Sequence, residues 1–278
     1  MRVAVCMSGL TRAVEHSIPL LREHLIKPYD ADLFVHHWND ISIGGMSKRF
    51  LSGRTSNSPS TESFFRDNGA VDVVSESFED LKWDFANVHA PETRRMTTAP
   101  MYYGIYRANK LKSKHEDNLG EKYDVVIRTR PDNFYSESLP DDEVTDAMNN
   151  PVIYVRGAVH DWGSKTPRNN FLYECGDDIP FVADNFAFGS SESMNVYADT
   201  YKNILNFRQH CKNQGPDMEG PIPASEICLG YQLRSQGIEY KRSKIRYKQL
   251  VDWTDQHFTA DSWYDGPHGD GMIGKRFE

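Results

Sequence analysis

The segment Tyr123-Asp124-Val125-Val126-Ile127-Arg128-Thr129-Arg130-Pro131-Asp132 constrains the fold of this chain more than any other. Its apolar centre, Val125 to Ile127, has the length and β-branched composition of a strand buried on both faces, as in parallel sheets covered by helices. The run ends abruptly in Arg128, Arg130, Pro131 and Asp132. In open α/β sheets, ligands bind beyond the carboxyl ends of the strands, so these charged groups are expected at the mouth of a site. Two cations beside a carboxylate suit a metal-bound diphosphate. The plainer alternative is a surface salt bridge capping a strand.

The flanking sequence continues the alternation of strands and helices. Val3 to Met7 reads as a strand running into Ser8-Gly9-Leu10-Thr11-Arg12, after which Ile18, Leu21 and Leu25 recur at helical spacing. Pro19 fits best in a first helical turn, which predicts a cap at Ser17 and a working loop over residues 8 to 16. Ala31 to Val35 is a second strand, ending in His36-His37-Trp38-Asn39-Asp40. A histidine at a strand end is more often a structural group than a catalytic one, and neither His36 nor His37 is assigned chemistry. Residues 41 to 69 read as a long connection, and Val71 to Val74 as a third strand. Thr98, Ala99 and Pro100 open a helix with Met101, Ile105, Ala108 and Leu111 on one face; Tyr102, Tyr103 and Tyr106 around it are expected to pack.

Later elements repeat the pattern. Val152 to Val155 is a strand, the irregular stretch Gly157 to Asp178 is of the kind that grips acceptors, and Asp184 to Gly189 is a strand whose end is expected to face the site. Ser190 or Ser191 caps the next helix, and Ile227 to Gln236 forms a last one, closed by Gly237, with Glu226 in its first turn. Arg242, Lys244, Arg246 and Lys248 alternate as though on one face of a strand, an arrangement that usually protects a sheet edge.

Composition narrows the function. The formal charge of −8 and the pI near 5.7 argue against a broad basic face for nucleic acid. Cys6, Cys175, Cys211 and Cys228 show no metal-ligand or CxxC spacing, which predicts free thiols in a reducing compartment. With no signal-like or membrane-spanning run, a cytoplasmic location and a single domain over residues 1–278 are the expectation. Ser8-Gly9-Leu10-Thr11-Arg12 lacks GxGxxG spacing and nothing matches GxxxxGK[ST], so dinucleotide oxidoreductases and P-loop enzymes lose ground.

Taken in order, SGLTR, ADLFVHHWND, YGIYRANKLK, YDVVIRTRPDNF, ADNFAFGSSESM and ASEICLGYQLRSQGIEY resemble the GT-A class of nucleotide-sugar glycosyltransferases. The likeness is greatest to WavE-like and related bacterial and viral sugar transferases. It implies a GT-A-like α/β fold with a mostly parallel sheet flanked by helices. It also implies transfer of a sugar from a nucleotide-sugar donor to a glycan or glycoconjugate acceptor, assisted by Mn²⁺ or Mg²⁺. The family's metal-binding DxD corresponds here to RTRPD, which lacks the first acidic residue and leaves Asp132 as the implied ligand. Arg128 or Arg130 could partly replace the cation. A C-terminal histidine often completes the family's metal shell, and His257 and His268 stand in the tail.

The resemblance further implies that Ser8, Gly9 and Arg12 hold the nucleotide together with Arg128 and Arg130. An inverting transfer needs a base for the acceptor hydroxyl. Glu226, matching an acidic position that opens a late helix in the family, and Asp184 are the two candidates. Trp253, Phe258, Trp263 and Tyr264 make the segment 253–278 too aromatic for a disordered tail, and it is expected to fold over the donor as a lid. The alternative to an enzyme is a nucleotide- or carbohydrate-binding protein with a degenerate site; a nucleotidyltransferase, which would carry a Gly-rich basic loop after the first strand, fits less well.

Overall fold

The computed structural model describes residues 1–11, 14–39, 62–77, 98–156, 159–161, 180–204, 207, 225–250 and 272–273. Its centre is a seven-stranded sheet built from β1 (Val3–Gly9), β2 (Asp32–Trp38), β3 (Ala70–Glu76), β4 (Val125–Thr129), β6 (Val152–Val155), β9 (Ala187–Gly189) and β10 (Glu239–Arg242), in the order β10-β6-β9-β4-β1-β2-β3. β1 pairs in parallel with both β2 and β4, β2 with β3, and β6 with β10. β9 is the reversed strand, antiparallel to β4 and to β6.

Period-two alternation sorts the strand side chains into two cores. Ala4, Cys6, Phe34, Val126 and Ile153 pack with α3 (Thr98–Leu119), α5 (Ser191–Ala198) and α6 (Ser225–Ser235) on one face. Val5, Met7, Leu33, Val35, Val125 and Ile127 pack with α1 (Val14–Leu21), α2 (Glu62–Asp67) and α4 (Asp141–Asn149) on the other. Burial on both faces is why the strands read as continuous apolar runs. The chain leaves β1 through α1 toward β2 and β3, then returns through α3, on the opposite face, to β4. The sheet therefore has its topological switch point between β1 and β4, where a crevice for ligands is expected.

Several sequence expectations are corrected. Ser17 is not a cap: α1 begins at Val14, Pro19 lies inside it, and the chain continues through a π turn, Arg22–Ile26, and a 3-10 turn, Lys27–Tyr29. Ser17 instead donates its hydroxyl to the carbonyl of Pro131. Ser8 and Gly9 belong to β1 rather than to a loop. Within the span read as one connection, α2 forms and buries Phe65. The row of four cations is divided, because residues 243–246 leave the sheet between β10 and β11 (Tyr247–Leu250). Glu143, in the first turn of α4, fixes that break by accepting from Ser243 Oγ (2.6 Å) and from the Lys244 backbone N–H (2.8 Å). Lys244 then reaches Asp142, and Arg246 reaches Glu137, so these cations serve local pairs.

A second sheet joins β12 (Met272–Ile273), β11 and β5 (Asn133–Tyr135). β5 leaves directly from Asp132, and β11 runs antiparallel to it with Tyr247 opposite Tyr135. Of the expected lid 253–278, Met272 and Ile273 are described and pair with β11; the rest lies outside the described residues. β7 (Val159–Asp161) and β8 (Pro180–Val182) form a separate antiparallel pair. Cys6 is a buried free thiol and Cys228 is buried, whereas Cys175 and Cys211 lie outside the described residues. Among the described residues, no helix is long and apolar enough to cross a membrane.

Candidate functional site

The crevice opens where β1 ends beside β4. Ser8 is buried, and Gly9 adopts φ +141°, a conformation that side chains rarely tolerate. A Cβ on Gly9 would lie 3.2 Å from Cδ of Pro131, so the residue type also permits close approach of the two strand ends. Arg12, the third residue expected in this loop, lies outside the described residues.

At the end of β4 stand the charged groups. Arg130 and Asp132 form a two-bond fork, Nε to Oδ1 and Nη2 to Oδ2, both 2.8 Å. Asp132 is 1 % exposed, and its pairing has a visible cost and return: desolvation works against the Arg130 charge, but the adjoining Asp132 outweighs it, with Asp184 adding to the effect, and the guanidinium is held above its ordinary range. Arg128 is only 2 % exposed and forms no ion pair among the described residues. Its Nη1 donates to the backbone carbonyl of Asn185 (2.6 Å), which also accepts from Asn133 Nδ2 (3.1 Å), while Arg128 Nε has no hydrogen-bond partner among those residues. A buried guanidinium without a carboxylate is costly unless an anion meets it.

The reversal of β9 supplies the other half of the site. Because β9 runs against β4, with Ala187 opposite Arg128, it is the beginning of this strand that reaches the crevice, not its end as the sequence suggested. Asp184 and Asn185, just before β9, are thereby brought to the arginines. Asp184 is 5 % exposed, and its Oδ2 is buried without a hydrogen-bond partner among the described residues; its backbone carbonyl accepts from Tyr197 Oη (3.2 Å). Glu226 lies in the first turn of α6 and accepts from Ser225 Oγ (2.9 Å). Tyr102 Oη donates to the Ser225 carbonyl (2.6 Å) and ties α6 to α3. Burial pushes the Tyr102 phenol well up, and the charges of Asp184 and Glu226 push it further.

Four site residues escaped the sequence. Asn133 and Asn185 carry the backbone ties just described, and Asn133 Oδ1 is another buried atom without a partner among the described residues. Arg156 follows β6 as Arg128 closes β4, and a cation at the carboxyl end of a buried strand was the signal that could have found it. Tyr247 gave no signal. Burial pushes its phenol up, as does Tyr135, and the charges of Arg128, Arg130 and Arg156 pull the other way.

His36 sits in a polar network, whereas His37 packs against Phe65 and its ring nitrogens have no hydrogen-bond partner among the described residues. Buried His36 meets Glu76 at 3.1 Å through Nε2, and Glu76 also accepts from Tyr103 Oη and Arg107 Nε, both 3.1 Å. A cavity of about 490 Å³ bordered by Arg2, Arg22, Asp30 and Tyr123 opens at the amino-terminal edge of β1 and β2, across the sheet from these groups.

For the Mn²⁺ or Mg²⁺ implied by the sequence resemblance, Asp132 is the one expected ligand among the described residues, and it is already committed to Arg130. Both oxygens of Asp132 are engaged by Arg130, and no group of three or more His, Cys, Asp or Glu side chains able to hold a metal occurs among the described residues. His257 and His268 lie outside them. What remains is a set of cations, a desolvated carboxylate and unpartnered polar atoms at one crevice, suited to an anionic ligand with hydroxyl groups. Neither a protein-family model nor a curated protein matches the chain.

Proposed function

We propose that this chain is a GT-A-like glycosyltransferase that moves a sugar from a nucleotide-sugar donor to a glycan or glycoconjugate hydroxyl. The observation that carries this proposal is Arg128: a buried guanidinium without an ion pair among the described residues, next to Arg130 at the β1/β4 switch point. A nucleoside diphosphate is the leaving group that such cations would stabilise, since negative charge grows on it as the anomeric C–O bond breaks. Gly9 lets Pro131 pack against the end of β1, and the two form the floor over which the diphosphate would lie.

For transfer with inversion, Asp184 is the better placed base. Its Oδ2 is buried without a hydrogen-bond partner among the described residues, within the electrostatic reach of Arg130, so it can take the acceptor's proton as the acceptor oxygen bonds to the anomeric carbon and the bond to the diphosphate breaks. Glu226, at a helix N-terminus, suits binding of acceptor hydroxyls as a charged carboxylate. No step is routed through a metal.

A thermal-shift panel of nucleotides and sugar nucleotides tests the proposal, because a ligand that binds only the folded state raises the melting temperature by mass action. At least one nucleoside diphosphate and its sugar conjugate should stabilise the protein, and Arg130→Gln should remove the shift. A panel with no stabilising nucleotide would overturn it.

A further inference from the structure

We propose that the donor's diphosphate is received by a cradle of Arg128, Arg130 and Arg156, in which Asp132 braces Arg130 instead of ligating a divalent metal. This rests on the glycosyltransferase proposal and specifies how its donor site is charged.

Each arginine is held by a different device. Arg130 is fixed by the two-bond fork to Asp132, and a carboxylate that saturates one face of a guanidinium leaves the remaining N–H groups aimed elsewhere. Arg128 is fixed through Nη1 to the Asn185 carbonyl. Arg156 is fixed at its backbone, where its N–H meets the Phe186 carbonyl (3.4 Å). Register brings them together. Arg128 is opposite Ala187, Ala187 is opposite Val155, and Arg156 is the next residue. The two backbones are thus two strand spacings apart, about 10 Å, and because alternation starts Arg128 and Arg156 on opposite faces, the two side chains reach one ligand only by extending past the strand ends. Tyr247, packed against Tyr135 and Phe186, feels the charges of all three.

The charge count favours the same conclusion. Among the described residues, three arginines against Asp132 and Asp184 leave one net positive charge around a site in which Asp132 is already paired. For Asp132 to serve a metal it would have to give up the fork, leaving Arg130 beside a divalent cation. Each Asp132 oxygen keeps a second lone pair, but like charges at such a distance repel, so the fork to Arg130 disfavours a divalent cation on the same carboxylate.

Isothermal titration of the full chain with inorganic pyrophosphate at low salt tests this directly, once with EDTA and once with Mn²⁺. The proposal requires saturable binding in EDTA that weakens as salt is raised. Arg130→Gln and Arg156→Gln, both at partly exposed positions, should each lower affinity by about tenfold or more, the scale of a charge-assisted hydrogen bond. Circular dichroism melts verify that each variant is folded. Arg130→Lys discriminates brace from bulk charge: a lysine keeps the charge but cannot form the fork, so its loss should approach that of Arg130→Gln. Wild-type affinity in Arg130→Lys would overturn the brace, and unchanged affinity in Arg156→Gln would overturn the three-arginine cradle. Binding that appears only with Mn²⁺ would overturn the metal-free cradle while leaving the glycosyltransferase proposal intact. Absence of pyrophosphate binding in both buffers would overturn the cradle, while the nucleotide panel decides the glycosyltransferase proposal separately.

Discussion

Gly9 and Pro131 close the floor of the β1/β4 crevice: a Cβ at Gly9 would stand 3.2 Å from Pro131 Cδ, and Gly9 holds φ +141°. Both the backbone angle and the contact exclude other residues. Gly9→Ala should destabilise the fold by about 1–3 kcal/mol, the scale of a strained backbone conformation, and should widen the crevice at the same time. Urea denaturation measures the first effect and nucleotide titration the second. A variant with unchanged stability and unchanged nucleotide affinity would show that the close approach has no role.

The two carboxylates differ in surroundings, and their variants should differ in kinetics. Asp184→Asn should lower kcat by about 10²–10⁴ while leaving donor affinity nearly intact, as loss of a general base does. Glu226→Gln should raise the acceptor KM with a smaller effect on kcat. The reverse pattern, measured by steady-state kinetics over acceptor concentration, would exchange the two roles.

Away from the site, Lys112 and Glu116 form a buried pair on α3 at 3.0 Å. Lys112 Nζ also donates to Ser191 Oγ (2.6 Å) and Asn195 Oδ1 (3.0 Å), and Glu116 accepts from Ser191 Oγ (2.6 Å) and the Tyr123 backbone N–H (3.0 Å). The network locks α3 to α5. Lys112→Met would leave a buried carboxylate short of its main counter-ion, and stability should fall by about 3 kcal/mol, the lower end of the range for a broken buried pair, because Glu116 keeps its other donors. Nucleotide binding in the still-folded fraction should be unaffected.

Protonation of the β2 histidines sets a pH window. Desolvation lowers the pKa of His36, against the opposing pull of Glu76, and desolvation lowers that of His37 as well. With the folded value depressed below the ordinary 6.5, the unfolded chain binds more protons between the two values. Stability from burying neutral imidazoles is therefore full above about pH 6.5 and is lost as pH falls toward the folded-state value. The melting temperature should drop from pH 7 to pH 5, and less steeply in His36→Gln. Equal slopes for the two proteins would contradict this assignment.

How much of this was legible in the sequence depended on whether the signal was local. Val125 to Ile127 carried its own evidence of double-sided burial, and Ser190 at a helix start carried its cap, realised as acceptance from the Ser193 N–H at 3.2 Å. Strand direction was not local. Nothing in Asp184 to Gly189 says whether it runs with or against β4, and that choice decides which end of β9 meets the arginines. Ser17 illustrates the same limit: its partner, the Pro131 carbonyl, is remote in sequence, so propensity alone assigned it to a cap. Arg156 had a local signal, a cation at the end of a buried strand, but its nearness to β4 depends on the register across β9, which no single segment encodes.

Glycosyl transfer itself is tested most directly by measuring nucleoside diphosphate released from a panel of sugar nucleotides, in the presence of mixed glycan acceptors, by the wild type and by Asp184→Asn and Arg130→Gln. A glycosyltransferase should release diphosphate from at least one donor, with Asp184→Asn slowed by about 10²–10⁴ and Arg130→Gln weakened in donor KM. Saturable binding of a sugar nucleotide with no release from any donor would instead identify a binding protein that keeps the crevice without the chemistry.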